Sequence, residues 1–339
     1  MKICFAVHAY VPHSKGGSEY YVQWMAEECV RRGHDVTVFT EVPSTPLEPR
    51  TTYVHNGVTV TKAMMSLYNQ DLIVVHGTLD STKYAQDFVL SRARGLTVPI
   101  VYQIITPVES PGNTQAMMTV PYIGCSTPED WDYVKKHNVE QKAHRIRHGI
   151  SVQDCTGTPG CFDREKYGIP RDKKMIVSCG GYWRHKRMYE LSEIFKAADV
   201  KDTVLVTAGH WKGDGNTFAR QVPEPDEHNR VIALYLPNPQ EVKDLIADAD
   251  LYVMHSMHEG FGLTVLEAML NRTAWIGYNI AGARILKEFG HTYETDEELL
   301  DLLKTHDTLE DKTEAAYQHV MDHHLISHTV DDILKLVNK

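Results

Sequence analysis

A chain of 339 residues and 38.5 kDa is long for one domain and sufficient for two of about 150 residues, each with its own core. Its 42% hydrophobic and 24% charged residues are those of a soluble globular protein, with no low-complexity tract or internal repeat. The net charge of −10 disfavours broad adhesion to nucleic acid or anionic lipid, although a local basic patch can override a global sign. Six scattered cysteines without a Cys-x-x-Cys pair read as buried or loop thiols of a reducing cytoplasm, with a Cys155–Cys161 clip as the alternative. The apolar run after Met1 is too short for a signal peptide and no later run approaches a membrane span, so the expected location is cytoplasmic.

Residues 3–7 are a short continuous apolar run of the kind found in a buried parallel strand. A loop over 12–18 contains Gly16-Gly17; a helical pattern then runs through Tyr21, Trp24, Met25 and Val30 until Gly33 ends it, and residues 36–39 start a second strand. This strand–loop–helix–strand unit puts its loop at the strand's carboxyl end, where open α/β sheets bind ligands. It lacks Gly-x-Gly-x-x-Gly and so is not the dinucleotide fingerprint. Further strands are expected at 58–61, 72–75, 100–104 and 121–124, and helices at about 82–94 and 128–137.

Between 151 and 172, prolines, glycines and polar residues without periodicity suggest a linker, with a first domain over 1–160. A second alternating domain over 173–323 has apolar runs at 175–179, 204–207, 231–236, 251–254 and 274–277, and helical patterns at 188–198, 241–247, 296–304 and 308–323. A last helical stretch lies at 330–337, within 324–339. The fold class is therefore α/β with two doubly wound sheets.

The most informative stretch runs from His258 to Met269, entered from the apolar run 251–254. Gly260 and Gly262 bracket Phe261 in a tight turn, and Leu263, Leu266 and Leu270 then start a helical stripe. A helix opening after such a turn directs free N–H groups and the positive end of its dipole outward, which suits a phosphate. Two carboxylates flank that seat, Glu259 and Glu267. A carboxylate beside a phosphate seat is repelled unless it binds something else, and sugar hydroxyls are the obvious donors to it. The stretch reads as a nucleotide-sugar site.

Glu-Gly-Phe-Gly-Leu followed by Glu-Ala-Met resembles the Glu-x7-Glu signature of retaining glycosyltransferases of family four. Gly16-Gly17 and the run 32–38 resemble that family's amino-terminal loop and turn, and 144–150 its closing amino-domain strand. The resemblance implies a GT-B fold of two Rossmann-like domains facing a cleft, an acceptor side in the first domain, a donor side in the second, and a carboxyl-terminal helix crossing back to the first. It implies transfer of a sugar from a UDP or GDP donor to an acceptor hydroxyl, with no cofactor and no essential metal. It also implies that Gly16 and Gly17 approach the donor phosphates and that Lys186 binds the diphosphate. The donor contacts further include Gly260, Phe261, Gly262, Leu263 and the base-holding stretch at Leu236, with Glu267 on the ribose and Glu259 by the donor sugar.

Two departures matter. The family's arginine position is Gly181 here, so Arg184 or Arg187 is expected to supply the missing charge opposite a departing diphosphate. The family's acceptor-side histidine position is Ile105, so His76, at the end of the expected strand 72–75, is the candidate imidazole, with the loop 106–115 beside it. Nineteen histidines contain no His-Glu-x-x-His or ligand quartet, and Asp130-Trp131-Asp132 and Asp248-Ala249-Asp250 read as structural, so no metal site is assigned. The acceptor stays open among a glycan, a lipid-linked sugar, a small molecule and a modified base on DNA, the last motivated by basic residues between Lys135 and His148. A degenerate nucleotide-sugar binder and a GT-B epimerase remain alternatives.

Overall fold

The computed structural model describes residues 1–7, 9–12, 16–40, 52–77, 98–104, 114, 117–209, 222–224, 230–236 and 238–337. The chain divides into two compact units, Met1–Ser151 with His323–Lys339, and Val152–Asp322. The expected helix at 82–94, Ile105 and nearly all of the loop 106–115 lie outside the described residues.

In the first unit the chain forms β1 (Lys2–Val7), α1 (Gly17–Arg31), β2 (Asp35–Thr40), β3 (Thr52–His55), β4 (Val58–Thr61), β5 (Leu72–Gly77), β6 (Ile100–Ile104), β7 (Tyr122–Cys125), α2 (Pro128–Lys136) and β8 (Ala143–Arg145). Their sheet order is β3-β4-β2-β1-β5-β6-β7-β8, parallel except where β3 meets β4. Strands β1, β5 and β6 are buried almost throughout, which is why they read as unbroken apolar runs. Strand β3 escapes an apolar-run search because it is a half-exposed edge. Its signal is the Asn56-Gly57 turn, both residues at positive φ, which makes a two-residue hairpin to β4.

The terminal helix Ile326–Lys335 packs on α1 within this same unit. Arg32 reaches Asp331 at 2.6 Å, and Arg147 grips Asp332 with two bonds of 2.8 and 2.7 Å. Thr329 adds a hydrogen bond from Oγ1 to the Arg147 carbonyl at 2.8 Å.

The second unit forms β9 (Lys174–Cys179), α3 (Met188–Ala198), β10 (Thr203–Gly209), β11 (Val231–Tyr235), α4 (Pro239–Ala247), β12 (Leu251–Met254), α5 (Leu263–Leu270), β13 (Trp275–Tyr278), β14 (His291–Tyr293), α6 (Asp296–Lys304) and α7 (Thr313–His323). The strands run β11-β10-β9-β12-β13-β14, all parallel. Leu191 and Phe195 of α3 pack with Ile176, Leu205, Val253 and Ile276 of the sheet in one buried core.

The expected linker needs correction: the unit boundary falls at Ser151, and residues 152–172 belong to the second unit. Lacking apolar periodicity, this stretch is held through its backbone donors. Gly157 N–H bonds Asn271 at 2.8 Å, Thr158 N–H bonds Asp244 at 2.9 Å, and the N–H groups of Gly160 and Phe162 share the Asp248 carboxylate. Such polar anchoring leaves no hydrophobic pattern to read. The six cysteines are free thiols, so no Cys155–Cys161 clip forms.

Candidate functional site

In the second sheet, β10 and β11 lie on one side of β9 while β12, β13 and β14 lie on the other. The loops after β9 and β12 therefore leave in opposite directions, and the crevice between them is where an open α/β sheet binds ligand. The first loop carries Lys186 and the second carries Glu259. Lys186 Nζ donates to Glu259 Oε1 at 2.5 Å, with side-chain exposures of only 21% and 12%. The loops are also joined by the backbone, Met257 N–H donating to the His185 carbonyl at 2.7 Å.

Gly262 precedes α5 at φ +92, a left-handed value that glycine adopts without strain, and a Cβ there would sit 2.9 Å from Met254 Sδ. No side chain caps this helix start and Val265 N–H is taken by the Gly262 carbonyl at 2.9 Å, which leaves the Leu263 and Thr264 amides for a ligand. Phe261 is buried and its carbonyl accepts from Gly282 N–H at 2.8 Å, which fixes the turn between Gly260 and Leu263. Glu267 stands one turn into α5. Desolvation pushes its carboxyl up to about 7, opposed by Lys243, and no described residue donates a hydrogen bond to it. Leu236 lies buried just beyond β11, and Tyr182 OH donates to the neighbouring Leu234 carbonyl at 3.0 Å.

The two arginines expected to share one role are in different situations. Arg187 turns the chain at φ +52 and donates to Asp296 at 2.6 Å. Asp296 also lies 3.7 Å from Nε2 of buried His255, whose Nδ1 is 2.5 Å from Tyr293 OH. Burial and then Arg187 lower the His255 pKa to about 4, so this imidazole is neutral. Arg184 is exposed, and its side chain makes no hydrogen bond or ion pair with a described residue. The group Arg187–Asp296–His255–Tyr293 was not singled out in the sequence, because its members come from three separate segments with no shared motif.

In the first unit β1 and β5 are the divergent pair. Gly16 is the N-cap of α1 and Gly17 its first residue, but a Cβ at Gly16 would collide with the Glu19 carboxylate, which covers that spot. His76 requires a correction. It does not open beyond the strand: it pairs with Gln103 inside the sheet, is 1% exposed, and faces the Tyr21 ring at 5.7 Å. Strand β5 extends two residues past the expected end, which carries His76 under α1. Burial lowers its pKa to about 3, and the same happens to His148, stacked on Tyr21 at 4.4 Å.

Three residues of the basic stretch from Lys135 to His148 are committed within the fold, while Lys135, Lys136 and Arg145 are exposed. Lys142 donates to the carbonyls of Met117 and Met118, Arg147 is held by Asp332, and His148 is buried. Asp130 closes a capping box on α2 and Asp250 accepts from Met175 N–H, so both Asp-x-Asp strings serve the fold. Among the described residues no three His, Cys, Asp or Glu side chains are grouped to hold a metal, and no helix is long and apolar enough to cross a membrane.

Residues 162–292 match the family described as Glycosyl transferases group 1. Over 124 residues, 36% of the chain, the sequence is 30% identical to the teichuronic acid biosynthesis glycosyltransferase TuaC of Bacillus subtilis (strain 168), covering 29% of that protein. Over 133 residues, 38% of the chain, it is 29% identical to N-acetyl-alpha-D-glucosaminyl L-malate synthase of Bacillus anthracis, covering 33% of it. The matched region thus spans about a third of each of these curated relatives. The solved structure of Anabaena Alr3699/HepE in complex with UDP superposes with a TM-score of 0.78 over 100% of both chains at 17% identity. The fold is GT-B. Lys186, Glu259, Glu267, Arg184, Arg187 and Leu236 all fall inside the matched residues 162–292, whereas Gly16, Gly17 and His76 lie outside them.

Proposed function

We propose that this chain is a retaining glycosyltransferase that moves a sugar from a UDP or GDP donor to an acceptor hydroxyl, without an essential metal. One observation carries the reading: a cation and a carboxylate, Lys186 and Glu259, meet at the divergent strand pair of the second unit, beside an uncapped helix start. The amides of α5 and the Lys186 ammonium take the diphosphate, whose charge grows as the glycosidic bond breaks. Arg184 adds a second cation, and Arg187 acts through Asp296 to hold the loop. Glu267, ionised, accepts the ribose hydroxyls. Glu259 binds a donor-sugar hydroxyl and offsets charge at an oxocarbenium-like carbon. The acceptor oxygen enters on the face that the leaving oxygen vacates, and its proton passes to the departing phosphate.

Support for the nucleotide comes from the family match and from the UDP complex of the Anabaena protein. The test is a thermal-shift screen over common nucleoside diphosphate sugars, because a ligand bound to the folded state raises its melting temperature. Hits are then assayed for transfer or slow donor hydrolysis with excess chelator. Stabilisation with turnover is the expected result; no stabilisation by any donor overturns the reading, and loss of turnover restored by magnesium or manganese overturns metal independence. Gly181 favours a second reading, a binder that holds the donor without transferring it. Binding without turnover would select it.

A further inference from the structure

This inference rests on the donor reading above and concerns what holds the Lys186–Glu259 pair in place. Lys186 is followed at once by Arg187, which joins the turn 184–186 to α3 at φ +52. A residue with a Cβ adopts that left-handed backbone only at a cost, so the turn needs a hold from outside itself. Asp296, the first residue of α6, supplies it: Oδ2 accepts from the Arg187 guanidinium at 2.6 Å, and the arginine side chain is only 18% exposed. Oδ1 of the same carboxylate lies 3.7 Å from Nε2 of His255, which directly follows β12 in the loop that carries Glu259. One carboxylate therefore stands between a residue of each donor loop.

Counting donors assigns the imidazole its tautomer. His255 Nδ1 and Tyr293 Oη are 2.5 Å apart, and Tyr293 Oη also faces the Met254 carbonyl at 3.3 Å. The single hydroxyl proton serves the nearer acceptor, Nδ1, which leaves the ring proton on Nε2 beside Asp296; the other tautomer would set a lone pair against the carboxylate. Asp296 thus receives a full charge from one loop and an N–H dipole from the other, the second across a gap too long for a hydrogen bond. We propose that Asp296 is a positioning residue of the donor site: it takes Arg187 on one oxygen and His255 on the other, and so fixes the turn bearing Lys186 against the loop bearing Glu259. Met257 N–H on the His185 carbonyl at 2.7 Å ties the same two loops through the backbone, and the pair at 2.5 Å is where both ties converge. Preset in this way, the ammonium and the carboxylate need little rearrangement when charge develops on the donor.

The test compares full-length wild type with D296N, D296E, R187Q and R187Q/D296N, each below its own melting temperature so that a lost fold is not read as lost function. Calorimetry gives the UDP and GDP dissociation constants, and hydrolysis of UDP-glucose and GDP-mannose gives turnover. Asp296→Asn is expected to lower turnover about 10–100-fold, the loss that a misplaced reacting group brings, while nucleotide affinity stays within about 3-fold. D296E keeps the carboxylate and recovers most of the turnover, and R187Q/D296N loses no more than the worse single change because both break one bridge. A second readout needs no turnover: in denaturant melts, the coupling between K186M and E259Q should shrink at least about twofold on the D296N background. A carboxylate that merely stabilises α6 would lower the melting temperature and leave that coupling whole. Where D296N fails to fold, R187Q takes its place in both measurements. Undiminished turnover or undiminished coupling in these variants overturns the proposal. A wild-type chain that binds neither nucleotide would sink the donor reading itself, whereas wild-type binding and turnover kept in D296N sink the Asp296 assignment alone.

Discussion

Lys186 Nζ and Glu259 Oε1 stand 2.5 Å apart across 73 residues of sequence. Two opposite charges from separate loops are thus held against each other. The pair is mostly withdrawn from solvent, so each charge depends on the other for compensation. On the proposed reading, a diphosphate entering beside α5 offers Lys186 a second anion, and a sugar hydroxyl offers Glu259 a neutral donor.

Glu259→Gln is expected to lower turnover more than donor affinity, because its work grows as the sugar carbon gains positive charge. Lys186→Met should weaken donor binding as well as turnover. In denaturant melts the two changes should couple by about 0.5–3 kcal/mol, as directly contacting groups do. Additive melts, or equal effects of both variants on affinity alone, would contradict the assignment.

The two arginines should separate cleanly. Arg187→Gln breaks the contact with Asp296 and leaves that carboxylate beside neutral His255, so the melting temperature falls. Arg184→Gln removes no side-chain hydrogen bond or ion pair with a described residue, so stability stays within about 0.5 kcal/mol while donor affinity drops. Comparing melts with nucleotide titrations checks both, and the reverse pattern would exchange their roles.

On the proposed reading, Glu267 ties donor binding to pH. Its carboxyl titrates near about 7 because burial disfavours the charge, yet ribose hydroxyls need the ionised acceptor. Nucleotide affinity should therefore rise from pH 6 to pH 8 and level off above that. Glu267→Gln should flatten this rise relative to wild type and weaken binding by about 1.5–3 kcal/mol. Parallel profiles for the two proteins would exclude Glu267 as the titrating group.

Acid should loosen the histidine-bearing cores first. His76 and His148 are held to about 3 and His255 to about 4, below the ordinary value near 6.5 that they regain on unfolding. The unfolded chain binds the extra protons, so stability is complete above about pH 6.5 and is lost as pH falls toward 3. The slope is up to about 1.4 kcal/mol per pH unit for each imidazole. His76→Ala should reduce this slope in the first unit and cost about 2–4 kcal/mol through the space left under Tyr21. A variant of native stability with impaired turnover would return His76 to the chemistry.

The apolar runs of β1, β5, β6, β9 and β12 and the Glu259–Glu267 string were legible along the chain because each is local: a buried parallel strand needs consecutive apolar residues, and a strand–turn–helix seat needs glycines within a few positions. The sequence by itself thereby determined an alternating α/β chain and a phosphate-compatible helix start. Other features were decided only when distant segments met. Arg187 met Asp296, His76 went under Tyr21, Trp183 filled the space over Gly181, and residues 157–162 were fastened by carboxylates and an amide from α4, Asp248 and Asn271. A side chain's charge, reach and donor count are written in its type, but whether it faces a ligand, a partner or a core depends on which other element arrives beside it, and that is a property of tertiary packing alone.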